Sequence, residues 1–175
     1  KKPFDDVRVR KALANAIDRA VIADAVMGQG QKPAYGLVPE FVDGFVPEVP
    51  AYAKLSQVQR NEEAKKLLKA AGFDGAHPLK VELLYNTSEN HKKVAVAIAS
   101  MWKKTLGVEV ALVNQEWKSY LETKSSGDFD VVRAGWMADY NEASSMLDLK
   151  QTTHGNNDGK YSNPKFDELM AKSRE

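Results

Sequence analysis

The chain contains no cysteine, which excludes structural disulfides, thiolate catalysis and cysteine-based metal sites. Charge of one sign is also lacking. Twenty-five Lys and Arg stand against 24 Asp and Glu, a net charge of +1. That balance gives no reason to expect nucleic acid or an anionic membrane surface as a partner. No apolar run approaches the roughly 20 residues that a membrane-spanning helix needs. No signal peptide opens the chain, and no Gly/Ser linker, internal repeat or low-complexity segment divides it. The sequence starts at Lys1 without a methionine and stops at Glu175 inside a helical pattern, so both ends read as cut. What is present is ordinary globular composition: 43% hydrophobic and 28% charged residues over 175 positions, suited to one domain with its own core.

Hydrophobic spacing divides the chain into elements. Pro3-Phe4-Asp5-Asp6-Val7 reads as a helix start, with Asp5 as cap and Phe4 as a staple. Val9, Leu13, Ala16 and Ile17 then recur at helical spacing. Asp18 caps a second helix that runs to Met27, where Gly28 and Gly30 stop it. Residues 31–60 hold Pro33, Pro39, Pro47 and Pro50 and little periodicity, so a long ordered surface loop is expected. Asn61 to Ala71 reads as a helix, ended by Gly72.

The period then changes. Leu79, Val81, Leu83 and Tyr85 alternate with Lys80 and Glu82 as in a strand. Ser88 precedes a helix to about Leu106, with Val94, Ala95, Ile98, Met101 and Trp102 on its buried face. Val108, Val110 and Leu112 form a second strand, Glu116–Ser125 a helix, and Phe129–Ala134 a third strand. Asn163-Pro164 opens a last helix containing Phe166, Leu169 and Met170. Strand, helix, strand, helix, strand implies an α/β fold with parallel strands.

Ligands of open α/β sheets bind beyond the carboxyl ends of the strands. That rule selects the segments 86–91, 114–117 and 133–140, and with them Asn86, His91, Trp117, Arg133, Trp136, Asp139 and Tyr140. Arg133 can fork onto a carboxylate and Asp139 can hold an ammonium, the two ends of a zwitterionic peptide. The alternative is that Arg133 and Asp139 pair with each other while the tryptophans fill the core. His77 and His154 have no second ligand at metal spacing. Ser88, His91 and Asp139 have the residue types of a hydrolase triad but no nucleophile elbow. The lysine pairs at 65–66, 92–93 and 103–104 read as solvated helix faces, and Gly28 and Gly30 lack a phosphate-loop context.

Several segments resemble the second lobe of periplasmic oligopeptide-binding proteins, the extracellular solute-binding protein family 5. They are Pro3–Leu13 with Ile17-Asp18-Arg19, Pro33-Ala34-Tyr35-Gly36, Asn61–Leu68, Leu83–Ser88 with His91-Lys92-Lys93, Val113–Lys118, and Arg133-Ala134-Gly135-Trp136 with Ala138–Glu142. The resemblance implies a periplasmic-binding-protein-like type II lobe, with a mainly parallel sheet flanked by helices and residues 1–175 forming one lobe of a longer two-lobed protein. It implies that Asp139 receives a peptide's amino terminus. Arg133 and His91 would serve carboxyl termini, Trp136 and Trp117 would line side-chain pockets, and backbone at Gly135 and Met137 would pair with the peptide as an added strand. Asn86 and Lys124 complete the set of expected peptide contacts. Lys124 stands where relatives carry an arginine, which weakens bidentate capture, and Met137 replaces a cysteine.

The function implied is capture of short peptides without strong sequence preference and delivery to the permease subunits of an ABC importer in the inner membrane. No cofactor, metal, catalysis or nucleic acid is expected, and the receptor would be monomeric. It would act in the periplasm, or at the cell surface of a bacterium lacking an outer membrane. A murein-tripeptide receptor is the alternative, with dipeptide, nickel and haem receptors further off. A peptide hydrolase and a plain interaction domain are the rivals from other classes. The missing first lobe would supply the rest of the cleft, so the isolated lobe is expected to bind peptide poorly.

Overall fold

The computed structural model describes residues 1–175. Three parallel strands form one sheet in the order β2-β1-β3, with β1 (Lys80–Asn86) central, β2 (Glu109–Gln115) on one side and β3 (Val131–Val132) on the other. The parallel α/β architecture expected from the element order is therefore the one observed. β1 and β2 pair along their whole length, from Lys80 opposite Glu109 to Asn86 opposite Gln115. The third ladder is shorter than the expected Phe129–Ala134. A side chain takes over part of it: the Glu82 N–H donates to the Asp130 carboxylate at 3.0 Å instead of to a carbonyl. The Arg133 N–H still reaches the Leu84 carbonyl at 2.8 Å, and beyond that point the chain leaves the sheet.

The core lies on the face of β1 that carries Val81, Leu83 and Tyr85. Onto it packs α4 (Glu89–Leu106) through Ala95 and Trp102, backed by α1 (Val7–Asn15) and α3 (Gln57–Ala70) through Val9, Leu13, Ala64 and Leu68. Trp102 ties these layers covalently distant in sequence: its ring is buried and its indole N–H donates to the Leu13 carbonyl at 2.9 Å. On the other side α5 (Trp117–Ser126) packs against β1, and Leu84 is buried there.

Helix ends follow local chemistry. α1 is capped by Asp6, whose carboxylate accepts from the Arg8 N–H at 2.8 Å, so the cap lies one residue beyond the expected Asp5. Asp18 caps α2 (Arg19–Val21) as expected, and the helix continues as a π-helix, Ile22–Met27, ended by left-handed Gly28. α3 starts four residues before the expected Asn61. Ser56 and Gln59 form a reciprocal capping box, a signal that the Asn61 reading passed over. Two short helical segments not expected from periodicity, α6 (Ser144–Leu147) and a 3-10 turn Asp148–Lys150, precede α7 (Pro164–Lys172), which Asn163 caps as expected.

The proline-rich segment is ordered by two devices. The Tyr35 ring takes the Arg19 guanidinium at 4.7 Å and that of buried Arg60 at 5.4 Å, and Tyr52 meets Tyr35 edge-on at 5.7 Å. Further along, Val38 and Val42 pack with Met146 in a second apolar cluster, and the Asn141 amide donates to the Asp43 carboxylate at 2.8 Å. The loop thus props up residues 141–147.

Two outcomes test this packing. Trp102→Phe leaves a void and an unpaired Leu13 carbonyl, and is expected to lower unfolding free energy by about 1–3 kcal/mol in chemical denaturation with an unchanged slope. Ser56→Ala removes one half of the capping box and is expected to cost about 1 kcal/mol in the same assay.

Candidate functional site

Because the three strands run the same way, their carboxyl ends share one edge. Asn86 ends β1, Gln115 ends β2 opposite it, and Arg133 follows β3. Thr87 laces the first two together: its N–H donates to the Gln115 carbonyl at 2.8 Å and its hydroxyl to the Asn114 side-chain oxygen at 2.6 Å. His91 enters from the first turn of α4.

Three buried side-chain polar atoms have no hydrogen-bond partner within the protein, and all belong to this edge: Asn86 Oδ1, His91 Nδ1 and Gln115 Oε1. Buried polar atoms are ordinarily paired, since each unpaired one costs about 1–3 kcal/mol. All three lie where the carboxyl ends of β1 and β2 meet the start of α4. Asn86 is only 9% exposed.

Arg133 is half-buried, and its guanidinium folds back over Gly135, where a methyl group would lie 3.6 Å from one of its nitrogens. Burial pulls its pKa down and only the Tyr120 hydroxyl opposes this; no carboxylate contributes. No ion pair joins Arg133 to Asp139, so the alternative in which the two pair with each other is not the arrangement observed. Asp139 is exposed; its N–H donates to Ser145 Oγ at 2.8 Å and its carboxylate is free. Tyr120, which periodicity did not single out, anchors the strand end by donating its hydroxyl to the Arg133 carbonyl at 2.7 Å.

Between the two charges the chain is open. No backbone N–H or C=O of residues 134–138 takes part in an intrachain hydrogen bond. Trp136 is 40% and Met137 87% exposed, and Tyr140 is exposed beside them. Trp117 is 55% exposed and stacks on Tyr120 at 5.6 Å. The tryptophans therefore do not fill the core here; the buried one is Trp102. Lys124 is already engaged, 3.1 Å from Asp158. Ser88 caps nothing with its side chain, and His91 Nδ1 has no partner, so no nucleophile–base pair exists at this helix start. His77 and His154 lie apart, beside Asp74 and the Asn156 N–H respectively.

His91 titrates below 6.5, because burial and then the Arg133 charge disfavour its cation, with the Asn86 carbonyl partly opposing. The unfolded chain therefore binds a proton at His91 before the folded one does. Stability is expected to fall as pH drops from 6.5 through the lower folded value, and His91→Gln should flatten that part of a denaturation-versus-pH curve.

Residues 1–158 match the family model described as bacterial extracellular solute-binding proteins, family 5 Middle. The periplasmic oligopeptide-binding protein OppA of Salmonella typhimurium is 54% identical over 171 residues, 98% of this chain and 32% of the relative. The periplasmic murein peptide-binding protein MppA of Escherichia coli is 49% identical over 173 residues, 99% of this chain and 32% of the relative. The crystal structure of Haemophilus influenzae OppA in complex with RPPGFSPFR superposes with a TM-score of 0.95 at 50% identity, covering 99% of this chain and 34% of that one. The chain thus spans about a third of the length of the curated relatives it matches. A parallel sheet edge with free polar groups, set in this fold and matched along nearly its whole length, places the chain in the bacterial extracellular solute-binding protein family 5.

Proposed function

We propose that this chain forms one lobe of a periplasmic receptor that binds short peptides without strong sequence preference and hands them to an ABC-type importer. The observation that carries this reading is the run 134–138, whose backbone groups are unpaired and which is flanked by the free charges of Arg133 and Asp139. Unpaired backbone offers the same donors and acceptors to any peptide, whatever its side chains. Two fixed charges of opposite sign suit the two ends of a zwitterion, whose burial without partners would cost several kcal/mol. Exposed Trp136, Trp117 and Tyr140 offer flat apolar walls that accept varied side chains at low entropic cost.

In this reading Asp139 holds the peptide amino terminus, while Arg133 and His91 meet a carboxylate. Asn86 lends a buried acceptor. Gly135 and Met137 contribute main chain, which is why Met in place of another residue is tolerated there. Lys124, engaged by Asp158, is set apart from the direct contacts. The other lobe of the receptor would close the cleft and dock with it on the permease. The similarity to a murein peptide-binding protein, at 49% identity against 54% for an oligopeptide-binding one, supports a second reading as a murein-tripeptide receptor.

Native mass spectrometry of a two-lobed receptor carrying this sequence separates these readings. Adducts with mixed three- and four-residue peptides are expected for the first reading, adducts with murein tripeptide alone for the second, and none with any peptide if the proposal is wrong. In the same receptor Asp139→Ala is expected to weaken tripeptide binding at least about tenfold by calorimetry. Affinity unchanged by that substitution would remove Asp139 from its assigned role.

A further inference from the structure

The proline-rich segment encloses a surface groove of about 530 Å³, lined by residues 30–41 and 47–50. Leu37, Phe41 and Val49 are among its lining and all three are exposed, Phe41 to 76% and Val49 to 56%. The four prolines of the segment line it as well. Of its charged side chains, Lys32 and Glu40 pair with each other, and Glu48 has no ion-pair partner.

This groove is pre-shaped. Val38, which also lines it, is buried against Val42 and Met146. At one end the Tyr52 hydroxyl donates to the Tyr35 carbonyl at 3.3 Å, under the Arg19 and Arg60 guanidinium groups. At the other, Asp43 and Asn141 bond reciprocally: the Asp43 N–H donates to Asn141 Oδ1 at 3.3 Å, and the Asn141 amide returns to the carboxylate at 2.8 Å. Each proline fixes one backbone angle, so little freedom is lost when another surface packs there.

Contiguous apolar surface on a soluble monomer is uncommon and marks an interface. Interfaces that form and part repeatedly are about as polar as ordinary surface, whereas permanent ones are more apolar. A permease, or a lobe that opens and closes, therefore suits this groove less well than a contact that stays made. This chain covers 32% of the length of the oligopeptide-binding and murein peptide-binding relatives, so a receptor of that length has ample polypeptide outside residues 1–175 to fill it.

We propose that the groove is a permanent docking surface for the remainder of the receptor's own polypeptide, which packs apolar side chains against Leu37, Phe41 and Val49 whether or not ligand is bound. The docking fixes the loop, and the loop in turn holds Asn141 and Met146, next to the segment that carries Asp139. This inference rests on the two-lobed reading above and not on the identity of the ligand.

The test places a thiol in the groove of the two-lobed receptor, whose residues 1–175 contain no cysteine, with the unsubstituted receptor as blank. The rate at which Phe41→Cys reacts with a maleimide is measured without peptide, in the folded and in the denatured receptor. Folding is expected to slow the reaction at least about a hundredfold. The protection should be unchanged on roughly tenfold dilution. Val49→Cys gives the same readout if Phe41→Cys does not fold. A thiol that reacts fast in the folded receptor would overturn the proposal. If Ala-Ala-Ala then slows it, the groove is a closing contact instead; if not, it is left free for the permease. Protection lost on dilution would assign the groove to a second copy and overturn the proposal too. The peptide-free rate decides the matter even for a receptor that binds no peptide, so this inference and the peptide reading fail separately.

Discussion

Everything in this molecule depends on β1 being hydrogen-bonded on both sides to strands that run in its own direction. A central parallel strand satisfies its backbone through its neighbours, so it can be buried on both faces, and Val81, Leu83, Leu84 and Tyr85 all are. The same constraint sends all three strands out at one edge. Each must then be followed by a connection that turns away there, and the side chains those connections carry converge whether or not they are close in sequence. Asn86, Gln115, His91 and Arg133 meet for this reason.

Stability and site are spatially separated. The large cluster around Trp102 holds α1, α3 and α4 to one face of the sheet, and its members satisfy one another. The edge is the reverse: its buried polar atoms lack partners, its arginine lacks a carboxylate, and residues 134–138 leave their backbone unpaired. Such deficits are tolerated where the rest of the structure over-determines the local geometry. Here Tyr120 pins the end of β3, Ser145 holds the Asp139 N–H, and the proline-rich loop braces residues 141–147 through Val38, Val42 and Asp43. The long loop is a support for the segment that carries the charges.

The electrostatics of the edge follow from which charges are spoken for. Most ion pairs of the chain lie on exposed surface and contribute little individually. Lys124 is withdrawn and compensated, His91 is held toward its neutral form, and Arg133 keeps its charge because its intrinsic affinity for a proton far exceeds what burial removes. Arg133 and the free carboxylate of Asp139 thus flank an open stretch of main chain.

Periodicity, caps and turn residues are local, and what they encode could be read directly. The alternation from Leu79 to Tyr85, the amphipathic stripe of α4, the Asp18 and Asn163 caps and the α/β order belong to this class, as does the convergence of 86–91, 114–117 and 133–140, which follows from parallel strands alone. Where two local signals competed, the stronger won: the Ser56–Gln59 capping box moved the start of α3 ahead of Asn61, and Asp6 displaced Asp5. Only the tertiary structure could decide who partners whom. Asp130 replaces a ladder bond from 48 residues away, Lys124 is claimed by Asp158, Tyr120 reaches Arg133, and Arg133 and Asp139 stay apart. Propensity acts through neighbours in the chain, whereas charge pairing and burial act through neighbours in space, and a sequence specifies the second only once it has folded.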